Sequence, residues 1–327
     1  MSILSLTARN VNDAYETALW AFHTLPDLHT EDSRGGPVFR YPTPVCMEYD
    51  KPNERVLFNA HRDANPFFHY MEGVWMLAGE DEIQWLSQFN DQIQGYSDDG
   101  RTLHGAYGNR WSFHFNHCQL IDNISHLRKN PKSRRVVLAM YDPDIDALIE
   151  YSGKDVPCNT HIYFAVRDGR LDMTVMARSN DLIWGATGAN AVHMSMLHEF
   201  VAIQTGLHLG RMYQFSNDYH IYAERYHPDE LIKHLDGFQP YEWMDTPPRR
   251  LCEYYPQPMD FLEECKAFIE GKWSSLHDPM WQELACPMKN AWDCFIAGEM
   301  DGALSICQYI QAEDWRKGCT DWLKRRM

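Results

Sequence analysis

A chain of 327 residues can bury a sizeable core, as one large domain or as a domain with an appendage. Its formal charge of −16 repels polyanions, which argues against a DNA or RNA backbone as partner and leaves a phosphate-bearing small molecule only where arginines gather locally. No apolar run approaches the roughly 18 residues of a membrane helix, and the N-terminus lacks the basic and apolar blocks of a signal peptide, so a cytoplasmic protein is expected.

Nine cysteines, an odd count with no Cys-x-x-Cys, fit reduced thiols rather than a disulfide framework or a zinc site. Sixteen histidines show no His-x-x-x-His spacing, and no metal is expected.

Val11 to Leu25 reads as an amphipathic helix with Asn12-Asp13 at its start. Asp32 to Pro37 is a flexible loop in which Arg34 stands beside Gly35-Gly36, a backbone that lets an anion approach while the guanidinium forks onto it, or else a plain surface turn. Asn65 caps and Pro66 opens a helix that Gly79 stops. Glu72 is the anomaly in that apolar helix. A carboxyl group enclosed by Phe68, Val74, Trp75 and Met76 is suited to trading protons near neutrality, whereas one pointing outward between turns is not. Glu82 to Phe89 reads as a short helix and Asp91 to His104 as a loop. In Gly105-Ala106-Tyr107-Gly108, the tyrosine is a core plug or a phenol delivered to a cleft.

His117 to Leu127 is a further amphipathic helix, broken at Asn130-Pro131, and Ser133-Arg134-Arg135 precedes a strand from Val136 to Met140. Adjacent arginines at a strand start project to opposite faces, so one of them is free to reach a partner subunit. Pro157-Cys158-Asn159 then leads into a strand to Val166. Asp168-Gly169 marks a tight hairpin, and Arg170 to Met176 returns to Arg178-Ser179-Asn180-Asp181. A cysteine and an arginine facing each other on paired strands is how a thiol becomes a thiolate nucleophile, which singles out Cys158. A bend at Gly185 to Gly188 enters a helix from Asn190 to Gln204 ended by Gly206. A strand from Arg211 to Phe215 follows, and Asn217 to Tyr222 reads as the start of another helix. Prolines 228, 240, 247, 248, 256 and 258 mark a connector. Helices are expected at Met259–Gly271, Met280–Gly298, Met300–Gln311 and Glu313–Arg325, which gives residues 1–226 as a catalytic domain and 227–327 as a connector and helical extension.

In this order, Ser133-Arg134-Arg135, Pro157-Cys158, Arg178-Ser179-Asn180-Asp181, Gly185 to Asn190 and His220-x-Tyr222 resemble the thymidylate synthase superfamily, over about residues 11 to 225. The resemblance implies an α/β fold with a large mixed sheet and an obligate homodimer with shared sites. It also implies a one-carbon transferase that uses 5,10-methylenetetrahydrofolate on a pyrimidine deoxynucleoside monophosphate. Cys158 would add to C6 of the base. Arg34, Arg178 and Ser179 would grip the 5′-phosphate, with Arg134 and Arg135 supplied by the other subunit. His220 and Tyr222 would bond the 3′-hydroxyl, Glu72 would move protons, and Tyr107 would assist loss of the C5 proton. Asn190 would read the pyrimidine edge, and Asp181, Trp184 and Gly185 would border the folate.

Three departures from the synthases matter. Gln94 stands where a tryptophan shields the exocyclic methylene from water, and a helical segment ending in Lys324-Arg325-Arg326-Met327 replaces a short aliphatic tail. Both favour a hydroxymethylase of the kind phages use. Asn159 replaces a histidine after the cysteine. An asparagine at Asn190 fits uracil, and a mispaired buried group costs ~1–3 kcal/mol, so dUMP is the expected substrate. The alternatives are a dCMP hydroxymethylase, a thymidylate synthase, and a silent binding protein, which would have no need of Cys158, Glu72 and Arg178 together.

Overall fold

The computed structural model describes residues 2–149 and 153–327. Ten strands form two sheets: β1 Leu4–Ala8, β2 Thr30–Glu31, β3 Val38–Arg40, β4 Val45–Tyr49, β5 Val137–Ala139, β6 Asn159–Arg167, β7 Arg170–Ala177, β8 Asn180–Asp181, β9 His208–Ser216 and β10 Tyr219–Tyr222. The large sheet has the order β1-β4-β9-β7-β6-β5, and the small one β2-β3-β10-β8. The large sheet is mixed: β1–β4 and β7–β9 are parallel and the other pairs antiparallel, because β6 and β7 are joined by a hairpin whereas β7 and β9 need a helical crossover.

The helices are α1 Val11–His23, α2 Pro66–Leu77, α3 Tyr107–Asn109, α4 Gln119–Lys129, α5 Ala189–Thr205, α6 Pro228–Ile232, α7 Pro258–Ile269, α8 Cys286–Ile296, α9 Met300–Cys307 and α10 Glu313–Lys324. The protein is α/β. One face of the large sheet packs against α1, α4 and α5. The opposite face presents His161, Tyr163, Thr174, Met176, Tyr213 and Phe215, half-buried or exposed, in two cross-strand rows.

Helix α2 starts where the sequence says it should: the Asn65 side chain accepts from the Phe68 N–H, and Pro66 takes the first turn, where its missing donor costs nothing. All twelve of its residues are buried. It lies between α5 on one side and α7, α8 and α10 on the other, so the extension supplies the second half of its surroundings. Phe67 meets Trp292 and Trp322, Tyr70 meets Trp315, and the Trp292 indole donates to the Gln88 carbonyl at 3.0 Å. Residues on both sides of the connector share one continuous apolar cluster.

Several local expectations are corrected. Glu82 to Phe89 is not a helix. Glu82 bridges Thr102 and the Ile83 N–H donates to the Arg101 carbonyl, so the first turn's backbone groups are committed across the loop and only Leu86–Gln88 coils, as a 3₁₀ turn. The expected loop after Asp91 contains a second 3₁₀ turn, Asp91–Tyr96, capped by Asn90. The bend before α5 is a single π-type turn, Leu182–Ala186. Met280–Gly298 divides into a π-type turn, Trp281–Ala285, and α8, with Pro287 in its first turn. Asn217 to Tyr222 begins no helix: Tyr219 to Tyr222 is strand β10, paired with β3 and β8.

Candidate functional site

The site is built around the β6–β7 hairpin. Asp168 and Gly169 both have positive φ, the conformation of a two-residue hairpin turn, and this fixes the pairing of Arg167 with Arg170. Near the far end a bulge between Asn159 and His161 shifts the register by one residue. Cys158 is thereby set beside Arg178, whose N–H donates to the Cys158 carbonyl at 2.9 Å, instead of beside Ser179. The Arg178 guanidinium is aimed by two backbone carbonyls, those of Pro157 and Val156, each at 2.9 Å, and its Nη2 lies 3.7 Å from the thiol sulfur.

Cys158 opens into a polar cleft of about 560 Å³ that also holds Arg34, Arg178, Ser179, His220 and Tyr222. Arg34 is anchored by the carbonyls of Gly153 and Lys154. His220 and Tyr222 reach the cleft together because alternate residues of a strand share a face, which a helix would have denied them. The ring of His220 is oriented by Asp218 at 2.9 Å, and Asp218 in turn pairs with Arg40 at 2.9 Å. Burial pushes the Cys158 thiol up, Arg178 and Arg34 oppose this only in part, and Asp155 adds to it. Arg178 thus acts on the thiol in the expected direction, and burial outweighs its field.

Behind the cysteine lies a second, mainly apolar cavity of about 220 Å³, with Phe68, Met76, Ile93, Trp184 and Ala189 in its walls and Glu72, Tyr107, Asn190 and His193 among its polar groups. Asp155 faces this cavity while Val156 and Cys158 face the cleft, so the segment before β6 is the wall between them. Glu72 is buried, and its Oε2 lies 3.2 Å from Nδ1 of His193. Nε2 of His193 is buried with no partner among the described residues. Asn190 and His193 sit one turn apart on α5, which brings both into the cavity. The Tyr107 hydroxyl accepts from the Asn159 N–H at 3.2 Å. Burial, then the neighbouring Cys158, pushes this phenol up, so Tyr107 keeps its proton and serves as a donor rather than a base.

Trp184 lines the cavity from the π-type turn, and its N–H donates to Asp181 at 2.5 Å. Asp181 is buried, which pushes its carboxyl up, and its Oδ1 has no partner among the described residues; neither does Nε1 of Trp184. Gly185 stands behind this wall, where a side chain would run into Asn180.

One expectation falls outside this assembly. Gln94 does not face the cavity. In a 3₁₀ turn residues three apart eclipse, so Ile93 and Tyr96 look inward, joined by Gln92, while Gln94 lines a separate groove with Glu82, Gln88 and Arg101. Arg134 and Arg135 are exposed just before the edge strand β5 and line neither cavity. His193, signalled in the sequence only by its spacing of three from Asn190, joins the site, as do Asp155 and Asp218.

Residues 30–241 match the family model "Thymidylate synthase", a span that contains every candidate residue from Arg34 to Tyr222. Over 334 aligned positions the chain is 41% identical to the deoxyuridylate hydroxymethyltransferase of Pseudomonas phage M6, covering 98% of this chain and 94% of that one. The chain belongs to the thymidylate synthase family. Within the family it is also 36% identical to the deoxyuridylate hydroxymethyltransferase of Bacillus phage SP01, over 56% of this chain and half of that one. Among solved structures it is similar to the thymidylate synthase of T4 phage, with a TM-score of 0.56 at 20% identity over 78% of this chain and 91% of that one. At that identity the likeness speaks for the thymidylate synthase fold.

Proposed function

We propose that this thymidylate synthase-family protein is a dUMP hydroxymethyltransferase. It would convert dUMP, 5,10-methylenetetrahydrofolate and water into 5-hydroxymethyl-dUMP and tetrahydrofolate. The observation that carries this reading is the position of Cys158, on a wall with an arginine-rimmed cleft on one side and a cavity holding Glu72, Asn190 and His193 on the other. A nucleotide laid across that wall puts its phosphate among Arg34, Arg178 and Ser179 and its sugar near His220 and Tyr222. Its base then lies against Asn190. The near full-length kinship with the phage M6 protein supports the choice of nucleotide and product.

The chemistry follows from the groups present. The Cys158 sulfur, once deprotonated, forms a bond to C6, and the electron pair of the C5–C6 double bond moves to C5 and O4. An amide N–H of Asn190 meets the developing charge at O4, and its carbonyl accepts from N3–H. The one-carbon unit, which the folate supplies at the oxidation level of formaldehyde, would bond to C5, and loss of the C5 proton with cleavage of the bond from that carbon to the folate nitrogen would leave an exocyclic methylene and free tetrahydrofolate. The apolar walls beside Trp184, with the unpartnered Asp181 Oδ1 and Trp184 Nε1 behind them, suit a flat heterocycle that carries both donors and acceptors. Glu72 and His193 take the C5 proton, and Tyr107 holds a water with its free O–H. Water then adds at the new exocyclic carbon, and the C6–sulfur bond breaks to return the thiolate. Gln92, at the mouth of the cavity, is the polar side chain placed to admit that water, in the part first assigned to Gln94.

We read the molecule as a homodimer in the cytoplasm of a bacterial host. The half-exposed rows around His161, Tyr163 and Phe215 form the face for a second copy, and the exposed Arg134 and Arg135 lie where they can serve its cleft. The test is incubation with dUMP and methylenetetrahydrofolate and identification of the nucleotide by mass. 5-Hydroxymethyl-dUMP with tetrahydrofolate is expected. Thymidylate with dihydrofolate, or turnover of dCMP alone, would sink the assignment.

A further inference from the structure

Just before α2, residues 59–65 form a loop whose two central charged residues face opposite ways. Asp63 has a φ of 49°, a left-handed backbone that a residue other than glycine adopts only when held there. Its N–H donates to the Asn59 carbonyl at 3.2 Å, the Arg62 N–H donates to the Asn59 side chain at 2.9 Å, and the Asp63 side chain is held by the extension. The Asp63 carboxylate accepts from Nε of Arg325 at 3.0 Å and from both terminal nitrogens of Arg326, at 3.1 and 2.7 Å. Arg326 is itself fixed, lying 3.4 Å from the ring centre of Trp322 and donating to the Trp322 carbonyl at 3.0 Å. Isolated exposed ion pairs contribute little, but a carboxylate gripped by a two-pronged arginine that is stacked on an indole is a fixed anchor. Burial would raise the Asp63 carboxyl, yet the two arginines hold it below its ordinary value.

The adjacent Arg62 points inward and is buried. Its Nη2 donates to the Ile183 carbonyl at 3.0 Å, its guanidinium lies over the Trp184 ring at 4.8 Å, and its Nε has no partner among the described residues. A buried cation with so few hydrogen bonds does not fix its own place; the backbone on either side must do so. Arg62 also helps hold the charge on the buried Asp181. Arg325 and Arg326 are thus linked through Asp63 and Arg62 to Trp184 and Asp181, and Trp184 lines the apolar cavity and not the arginine-rimmed cleft.

We infer that Asp63, clamped by Arg325 and Arg326, is a positioning residue that sets the Arg62–Trp184 wall, so that the helical extension tunes affinity for the folate co-substrate independently of the nucleotide. This rests on the proposed function, which assigns that wall to the folate. The experiment measures KM for methylenetetrahydrofolate and for dUMP in the full-length enzyme and in Asp63→Ala, Arg325→Ala/Arg326→Ala, their combination, and Asp63→Glu. Folate KM should rise about five- to tenfold in the first two, the size of an ordinary coupling between linked sites, while dUMP KM and kcat stay within about twofold. The combined variant should be no worse than either alone, because all three residues serve one contact. Asp63→Glu should recover most of the loss. Equal rises in both KM values, or a lowered melting temperature with folate KM unchanged, would reduce the clamp to a structural contact and overturn the inference. Failure of the unaltered enzyme to act on dUMP would instead count against the proposed function. In that case equilibrium binding of tetrahydrofolate to the same variants still reads the clamp, and equal affinities overturn it.

Discussion

The two cavities on either side of Cys158 recognise by opposite means. The cleft is open and polar, and its arginines are exposed but steered by backbone carbonyls, so charge does the selecting and geometry only aims it. The inner cavity is mainly apolar and carries three of its polar groups on two buried helices, Glu72 on α2 and Asn190 and His193 on α5, where each group has few partners and little freedom. A phosphate keeps its charge in water and can be caught at an open rim. A base edge and a proton transfer need a dry place, because an amide or carboxylate discriminates only where water does not compete. The wall between them belongs to neither, and Cys158, the proposed nucleophile, is there.

Substitutions test this division in order of size. Cys158→Ala removes the one group that faces the cleft and acts on the base, and it should lower turnover by about 10⁴-fold or more while the protein still binds dUMP. Residual turnover within tenfold of the unaltered enzyme would place the nucleophile elsewhere. Glu72→Gln should cost roughly 10²–10³-fold in kcat with dUMP KM little changed, since proton transfer is lost and the cleft is untouched. A parallel loss of nucleotide affinity would show that the two cavities are not separable. The smallest effect concerns pH. Because burial and Asp155 push the thiol up and the thiolate is the reactive form, kcat/KM should climb as pH rises from neutrality into the alkaline range. Asp155→Asn removes a carboxylate whose field reaches the sulfur through the wall, so the climb should begin at lower pH. A pH profile unmoved by this change would argue that the wall does not govern the thiol.

The hairpin was legible because Asp168-Gly169 is a turn signal with one dominant geometry, and the pairing of Cys158 with Arg178 followed from it once the bulge was added. The α2 boundaries were legible for the same reason, a cap and a proline acting locally. What failed depended on distant partners. Asn217-Asp218 looks like a helix cap, and only the neighbouring strands β3 and β8 make the next residues extended. Gln94 was assigned by its place in the sequence, but a single 3₁₀ turn rotates it out of the cavity and puts Ile93 and Tyr96 there. His193 was one histidine among many until α5 was set against α2.

The dependence of α2 on the extension bears on how the molecule is made. Tyr70 donates to Met280, 210 residues further along, and Phe67 waits on Trp292 and Trp322. A ribosome delivers the helix that carries Glu72 long before it delivers those partners, and until then an apolar helix has one bare side. The Glu72 carboxylate is therefore among the first of the site's groups to be synthesised and among the last to be enclosed, and nascent chains stalled before the extension are where chaperones should be found.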